Sequence, residues 1–104
     1  MPRHSVYTEW VFEWDPRKAE ANAAKHGVSF DEAVTVFLDA SALDGPDLQH
    51  STAEKWYLRL GRSAEGRLLM VDYTLRRSGD AETIRLISAR RASRRERAAY
   101  GAKD

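Results

Sequence analysis

The sequence predicts an α+β domain in which helices cover one face of an antiparallel sheet. Helical patterns occupy much of the first 40 residues, and three strand-like segments follow them as a group. The chain has 104 residues, 42% of them hydrophobic and 32% charged, which is typical of one soluble domain with one core. We therefore expect a single domain over residues 1–104, with residues 1–5 as a loose N-terminal tail.

The first expected elements are a strand and a helix. Aromatic side chains recur at every second position near the end of residues 6–14, which predicts a half-buried strand. A helix is expected over Pro16–His26, because Asp15 suits its N-cap and Gly27 its left-handed stop.

A second helix is expected directly afterwards. Ser29 and Glu32 have the spacing of a capping box, and apolar residues then recur at helical intervals. The pattern predicts a helix that runs to about Leu38, followed by a short strand or a loop over residues 42–47.

The rest of the chain predicts three strands and a closing helix. Ser51 and Glu54 repeat the capping-box spacing, but the residues after them alternate as in a strand, so a helix there is doubtful. The expected strands begin at Trp56 and then cover residues 68–75 and 83–90, with turns at residues 62–67 and 76–80. Ser93 and Glu96 form a third such box, which predicts a short basic helix that stops at Gly101.

Composition excludes several classes of protein. The chain has no cysteine, which excludes disulfides, cysteine metal sites and a thiol nucleophile. No run of 18 apolar residues suggests a membrane span, and the N-terminus lacks the apolar core of a signal peptide. We therefore expect a cytoplasmic protein with no membrane partner.

Charge is polarised along the chain. Residues 1–60 contain six Lys/Arg and ten Asp/Glu, whereas residues 61–104 contain eleven and six, and ten of those eleven cations are arginines. The planar guanidinium matches phosphate well, so this half favours a polyanionic partner. We expect Arg59, Arg85 and Arg62 to project from the open sheet face, and Arg90 and Arg91 to leave the last strand.

Metal and cofactor chemistry find little support in the sequence. The three histidines, His4, His26 and His50, stand more than 20 residues apart without a metal-binding motif. The chain also lacks a Gly-x-Ser-x-Gly elbow, a phosphate-binding glycine loop and a dinucleotide fingerprint. We therefore expect no metal and no cofactor.

RNA cleavage without a metal remains chemically accessible. It requires groups that transfer protons at the 2′-hydroxyl and the 5′-oxygen, and fixed cations where the phosphorane charge develops. The candidate catalytic residues are Lys25, His26, Arg62, Arg90 and Arg91. Each of them also has an ordinary structural role, such as a solvated helix end or a turn.

A second group of residues is expected to bind RNA without reacting. Arg59, Arg85 and Arg94 supply positive charge, and Tyr73 is a candidate for stacking on a base. For Tyr73, packing in the core is the commoner role.

Two longer motifs resemble a known family. W-D-x-x-K-A-x-x-N-x-x-K-H-G-V-S-F occurs at residues 14–30, and I-S-A-R-x-A-[ST]-x-x-E-R occurs at residues 87–97. With the intervening segment, residues 12–100 resemble the BrnT family of toxins from bacterial type II toxin–antitoxin modules.

The resemblance implies a RelE-like fold and a metal-independent ribonuclease that arrests translation. It also implies a ribbon-helix-helix antitoxin (BrnA-like). If that antitoxin is a dimer, we expect two toxins and two antitoxins in one complex, and contact with operator DNA through the antitoxin alone. By position, the family's K-H pair corresponds to Lys25 and His26, and its arginine pair to Arg90 and Arg91.

The family's H-S-x-x-E segment corresponds to His50 and Glu54. The chain departs from the common pattern at Lys55, where a second acid is frequent, and in its N-terminal eight or so residues. These departures bear on antitoxin fit and on the first strand more than on activity.

Two other functions remain open at this point. A catalytically silent RNA- or partner-binding module on the same fold would explain the arginines without a strong general base, because arginine stays protonated and an ordinary lysine is a poor base at pH 7. A DNA-binding antitoxin or repressor is the third interpretation, although no helix-turn-helix is evident.

Overall fold

The computed structural model describes residues 3–7, 10–79 and 81–102. In chain order its elements are β1 (Arg3–Tyr7), β2 (Trp10–Trp14), α1 (Pro16–His26), α2 (Phe30–Thr35) with a 3₁₀ turn (Val36–Leu38), β3 (Leu43–Pro46), β4 (Trp56–Arg62), β5 (Leu68–Ser78), β6 (Ala81–Arg91) and α3 (Arg94–Ala102). The predicted α+β class is confirmed. In this part of the chain, no helix has the length and apolar character needed to cross a membrane.

The described strands form one mixed sheet in the order β1-β2-β6-β5-β4-β3. The predicted meander of β4, β5 and β6 is confirmed, because consecutive strands pair antiparallel. The expectation of a wholly antiparallel sheet is wrong at one position, where β2 pairs parallel with β6. Strands 70 residues apart in sequence meet there, and no local pattern specifies their relative direction.

The N-terminal prediction is wrong in two respects. Residues 3–5, expected in a loose tail, belong to β1, and residues 6–14 are not one strand because Tyr7 pairs antiparallel with Trp10 across a reversal of the chain. Alternation has the same period in one long strand and in two strands of a hairpin, so it does not reveal the reversal. Residues 1, 2, 8 and 9 lie outside the described residues.

Both predicted N-terminal helices are present. α1 has the expected bounds, with Asp15 as its cap and Gly27 at φ 68° as its stop. At α2 only half of the capping box forms: Ser29 Oγ accepts the Glu32 N–H at 3.0 Å. The buried Glu32 carboxylate instead pairs with Arg67, whose hydrogen bonds hold the pKa of Glu32 below its usual value despite burial. That pair ties α2 to the β4–β5 hairpin.

The turn between β5 and β6 and the end of α3 differ from the prediction. β5 and β6 remain paired as far as Ser78 and Ala81, so the turn expected at residues 76–80 is shorter. Arg76 and Arg77 are exposed strand residues. The prediction placed them in a turn because charged residues are common in loops. α3 continues through Gly101, because this glycine is not in the left-handed conformation that stops a helix.

Two apolar clusters hold the elements together. The larger one joins β2, β5 and β6 to the segment that contains α1 and α2, and includes Phe12, Trp14, Val28, Phe30, Ala33, Val34, Val36, Phe37, Leu69, Val71, Tyr73, Leu86 and Ala89. The smaller one contains Leu60, Leu68 and Ala92, with Tyr100 of α3 packed against it. Successive strand side chains point to opposite faces, so the strands that pack Leu69 and Val71 into the core present Met70 and Asp72 on the other face.

Candidate functional site

A cavity of about 300 Å³ lies on the sheet face opposite the larger core. We call it the sheet groove, and its lining residues are His26, Asp47, Gln49, His50, Leu58, Met70, Asp72, Ser88 and Arg90. They come from β4, β5, β6, the segment after β3 and the last residue of α1. The groove therefore exists only when distant parts of the chain are assembled.

Asn22 explains how His26 reaches this groove. The Asn22 side chain is buried, and its amide donates to the Ala89 carbonyl at 2.8 Å and the Val28 carbonyl at 2.9 Å. Its Oδ1 accepts the Ala89 N–H at 3.0 Å. These bonds hold α1 against β6, so that the helix ends beside the strand that carries Ser88 and Arg90.

Arg90 is the cation of the sheet groove. Its guanidinium makes a bidentate pair with Glu96, with both N···O distances at 2.8 Å. The pair lowers the pKa of Glu96 to about 2, chiefly through the hydrogen bonds from Arg90, and raises the pKa of Arg90. The Arg90 side chain remains 43% exposed, so an oriented positive charge faces the solvent of the groove.

Asp47 and His50 form the opposite wall. His50 Nδ1 lies 2.7 Å from Asp47 Oδ2, and the imidazole stacks on Trp56 with ring centroids 5.8 Å apart. Ser51 closes the turn, since its N–H and its hydroxyl both donate to the Asp47 carbonyl. The sequence pattern Ser51-x-x-Glu54 thus supports a turn before β4 and begins no helix.

Asp72 forms the floor of the groove and is 8% exposed. Its Oδ1 is buried and has no hydrogen-bond partner among the residues that the structure describes. Burial and the adjacent Asp47 carboxylate raise the pKa of Asp72 to about 7. Burial also opposes ionisation of Asp47, but hydrogen bonds from His50 and Asp72 outweigh it and hold the pKa of Asp47 below its usual value.

One oxygen of each carboxylate and one nitrogen of His50 lie within 4.8 Å of one another. This cluster of Asp47, His50 and Asp72 is a set of side chains with the ligand types and proximity to hold a metal ion. Sequence reasoning missed it, because only the Asp47-x-x-His50 spacing is local and Asp72 comes from another strand.

The structure brings two of the expected catalytic residues together and leaves three outside the groove lining. His26 and Arg90 line the sheet groove. Lys25 is exposed in the last turn of α1, and Arg91 is exposed beside Arg90. Arg62 lies at the α3 end of the sheet, where its guanidinium stacks over Tyr100 at 5.5 Å and donates to a carbonyl of the β4–β5 turn.

Arg59 does not project from the open face, so that expectation is wrong. Its guanidinium donates to the carbonyls of Val36 and Asp39, both at 3.1 Å, and pairs with Asp44 at 2.5 Å. In the β4–β5 register Arg59 stands opposite Val71, which is part of the larger core. Burial of its aliphatic stem and the supply of free carbonyls at the end of the 3₁₀ turn account for the inward position.

The other residues expected to bind RNA have varied surroundings. Arg85 is half-buried and pairs with Glu13 at 3.3 Å, whereas Arg94 is exposed on α3. Tyr73 is buried in the core, and its hydroxyl donates to Asp44 at 2.8 Å. Burial and that hydrogen bond raise the pKa of Tyr73. Tyr57 already stacks on the Tyr73 ring, with the centroids 5.6 Å apart.

A larger cavity of about 590 Å³ lies elsewhere, between β2, β5 and the 3₁₀ turn. Its lining is largely apolar and includes Trp10 and Leu75, while its Arg59 and Asp44 neutralise each other. The sheet groove is smaller but combines two histidines, two carboxyl groups and a guanidinium, so it is the better candidate for acid–base chemistry.

Comparison with protein families identifies a match over most of the chain. A family model described as the ribonuclease toxin BrnT of a type II toxin–antitoxin system matches residues 14–96. This range covers the whole groove lining, from His26 to Arg90, and ends at Glu96, the partner of Arg90. No curated protein shows a significant match to the chain.

Proposed function

The chain belongs to the BrnT family of type II toxin–antitoxin ribonuclease toxins, and on this premise we propose that the sheet groove is the active site of a metal-independent endoribonuclease. The observation that carries the proposal is the presence of His26 and Arg90 in one cavity, although they are 64 positions apart in the sequence. A proton-transfer group beside a fixed cation is the minimum that this reaction requires.

In the proposed reaction, the 2′-oxygen of RNA loses its proton to a basic group and attacks the neighbouring phosphorus. The bond from phosphorus to the 5′-oxygen breaks, and that oxygen takes a proton, which leaves a 2′,3′-cyclic phosphate and a 5′-hydroxyl. His26 is placed to transfer a proton, and Arg90 to stabilise the charge on the phosphorane. Lys25, Arg62 and Arg91 remain proposed participants from outside the groove.

The surface around the groove would bind the rest of the RNA. Arg94, Arg95 and Arg97 are exposed on α3, and Glu96 between them is already paired with Arg90. Phosphates attract such a positive surface without sequence preference. Arg85 is paired with Glu13, but we propose that it also adds positive charge to the RNA-binding surface.

Membership of a type II family implies an RNA substrate and an antitoxin partner. We propose further that the fold is RelE-like. The packing of α1 and α2 against β6, and of α3 against β4, supports this proposal. The proposed antitoxin carries a ribbon-helix-helix domain, forms a complex of two toxins and two antitoxins, and alone contacts operator DNA. Cleavage of cellular RNA would inhibit translation in the cytoplasm.

A silent RNA-binding module is the alternative, and one observation favours it. Glu96 occupies the bidentate fork of Arg90, so a phosphate at this arginine must share or displace the carboxylate. In that case the protein would bind RNA in the groove and leave it intact.

Cleavage of a defined RNA by the purified chain distinguishes the two functions. We expect fragments with 2′,3′-cyclic or 3′-phosphate ends, in the presence and in the absence of EDTA. Fragments with 5′-phosphate ends, or loss of cleavage in EDTA, would contradict the proposed chemistry. Bound but intact RNA would favour the silent module.

Induced expression of the chain alone tests the cellular role. We expect growth arrest, rapid loss of labelled amino-acid incorporation, and degraded RNA. The Arg90→Ala variant, expressed to the same soluble level, serves as the control. Normal translation with abundant folded protein would be evidence against a toxin.

A further inference from the structure

The floor of the sheet groove holds two adjacent buried carboxyl groups. Asp47 and Asp72 are 5% and 8% exposed, and their carboxyl groups are adjacent. Two buried carboxylates at this separation repel each other strongly unless a positive species lies between them.

Arg90 does not supply that positive species. It lies close enough to Asp72 to interact with it through space, but both of its terminal nitrogens are held by Glu96 at 2.8 Å. Asp72 Oδ1 is buried, and no described residue donates a hydrogen bond to it. Asp72 Oδ1 is therefore removed from water without a group in the described part of the chain that compensates for the loss.

We propose that Asp47, His50 and Asp72 bind one divalent transition-metal ion, which fastens the segment after β3 to strand β5. The three side chains offer two carboxylate oxygens and one imidazole nitrogen within 4.8 Å of one another. Oxygen atoms alone would suit Mg²⁺ or Ca²⁺, whereas a mixed nitrogen and oxygen set favours Zn²⁺ or Mn²⁺.

The geometry requires only a small adjustment. Ligand atoms bind zinc at about 2.0–2.2 Å, so two ligands of one ion are separated by up to roughly 4 Å. The widest separation in the cluster exceeds this by less than about 1 Å, and the His50 side chain, which is 58% exposed, is free to move that far. The imidazole stacks on Trp56, and its Nδ1 already lies 2.7 Å from Asp47 Oδ2.

The proposed ion has a structural role and is not required by the cleavage chemistry. Without it, the carboxyl groups of Asp47 and Asp72 meet either as mutually repelling charges or through a shared proton. With it, this wall of the groove is fixed to the floor. The inference stands on the cluster alone, so it can fail while the proposed ribonuclease function holds, and the reverse also applies.

Thermal unfolding with and without metal provides the first measurement. The EDTA-treated protein at pH 8 is titrated with ZnCl₂, MnCl₂ or MgCl₂, and the ion content per chain is measured after dialysis. We expect one bound Zn²⁺ or Mn²⁺ per chain and a rise in Tm of several degrees, with a smaller rise for Mg²⁺.

Three variants identify the ligands. Asp72→Asn and His50→Ala are both expected to lose the rise in Tm, and His50 is exposed enough for its replacement to leave the fold intact. Glu54→Gln is the matched control, because Glu54 is an exposed acid of the same segment and lies outside the cluster. It should respond like the unmodified chain.

Cobalt gives a second, spectroscopic measurement. Co²⁺ held by an imidazole and two carboxylates should show visible absorption that His50→Ala abolishes, whatever the state of the RNA-cleaving activity. A metal response in Asp72→Asn and His50→Ala as large as that of the unmodified chain, or no binding of any of the four ions, would overturn the proposal.

Discussion

Arg90 is the residue on which the proposed activity depends most. It lines the sheet groove, is oriented by Glu96 and stays 43% exposed. A guanidinium held in one position before substrate arrives can stabilise a transition state without reorganising.

Replacement of Arg90 by alanine should lower the rate of RNA cleavage by roughly tenfold to a thousandfold, the range expected for one preorganised transition-state contact. Single-turnover kinetics would measure the effect, and Arg77→Ala, which removes an arginine that is 70% exposed at the far end of β5, is the control. A loss of Tm that accounts for all of the lost activity would assign Arg90 to structure. Arg62→Ala and Arg91→Ala then test whether catalysis extends beyond the groove.

Gly61 lies where neighbouring side chains leave no room for a Cβ atom. A Cβ at this position would lie 2.8 Å from Val36 Cγ1 and 3.0 Å from the Cβ of Ala42. Gly61→Ala should therefore lower the free energy of unfolding by about 1–3 kcal/mol, as overpacked cores do. Urea denaturation measures this, with Gly45→Ala, where a Cβ meets nothing within 4 Å, as the matched control. Equal effects at both glycines would show that backbone entropy, and not crowding, is responsible.

At the scale of elements, the contact between α1 and β6 positions one end of the groove. The Asn22 side chain binds both the carbonyl and the N–H of Ala89, close to the bulge where the register of β5 and β6 shifts. It is a polar side chain in an apolar interface, and its hydrogen bonds are all satisfied.

Replacement of Asn22 by alanine should lower the free energy of unfolding by about 3 kcal/mol, because buried amide and carbonyl groups at Ala89 and Val28 lose their partner. It should also reduce RNA cleavage by displacing His26. Denaturation curves and cleavage rates test both effects. Glu20→Ala, at an exposed position of the same helix, should change neither; a stable Asn22→Ala variant would show that water replaces the amide.

The start of α3 is a complete capping box linked to the groove. Glu96 accepts the Ser93 N–H at 2.8 Å and donates its own N–H to Ser93 Oγ at 3.2 Å, while its carboxylate holds Arg90. The folded pKa of Glu96, about 2, lies below the unfolded value near 4.3–4.5.

Because the folded pKa is depressed, the stabilisation from Glu96 is fully present above about pH 4.5 and is lost as the pH falls towards 2. Solvent screening at the partly exposed Arg90 reduces it to about 1 kcal/mol. Glu96→Gln should therefore be less stable than the unmodified chain at pH 7, and this difference in unfolding free energy should shrink below pH 4.5. A difference that is independent of pH would assign the effect to the cap alone.

At the scale of the whole molecule, charge and the groove face determine what kind of partner can silence the protein. An antitoxin that covers the groove would place acidic and apolar side chains against Arg85, Arg90 and α3. Salt screens long-range attraction between exposed charges more than it weakens buried contacts.

Raised salt should therefore slow association of toxin and antitoxin more than it speeds dissociation, as measured by stopped-flow mixing and competitive displacement. Co-expression followed by size measurement should give one tight complex that does not cleave RNA. A toxin that elutes alone, or a complex that still cleaves RNA, would contradict inhibition at the groove.

Much of the secondary structure, and the family, could be recognised from the sequence. Asp15 and Gly27 bound α1, and Ser93 with Glu96 begins α3, because capping involves groups within a few residues of each other. The alternation of apolar and polar side chains, which is also a local pattern, predicts the strands of the β4–β6 meander.

The tertiary structure decided which side chains meet on each face of the sheet. The parallel pairing of β2 with β6, the inward position of Arg59 and the meeting of Asp72 with Asp47 all join residues far apart in the chain. Their positions depend on register, burial and long-range packing, to which local patterns are blind. The sequence by itself therefore determined the family and included His26 and Arg90 among the candidate residues. Only the fold determined that these two residues line one groove together with a buried pair of carboxyl groups.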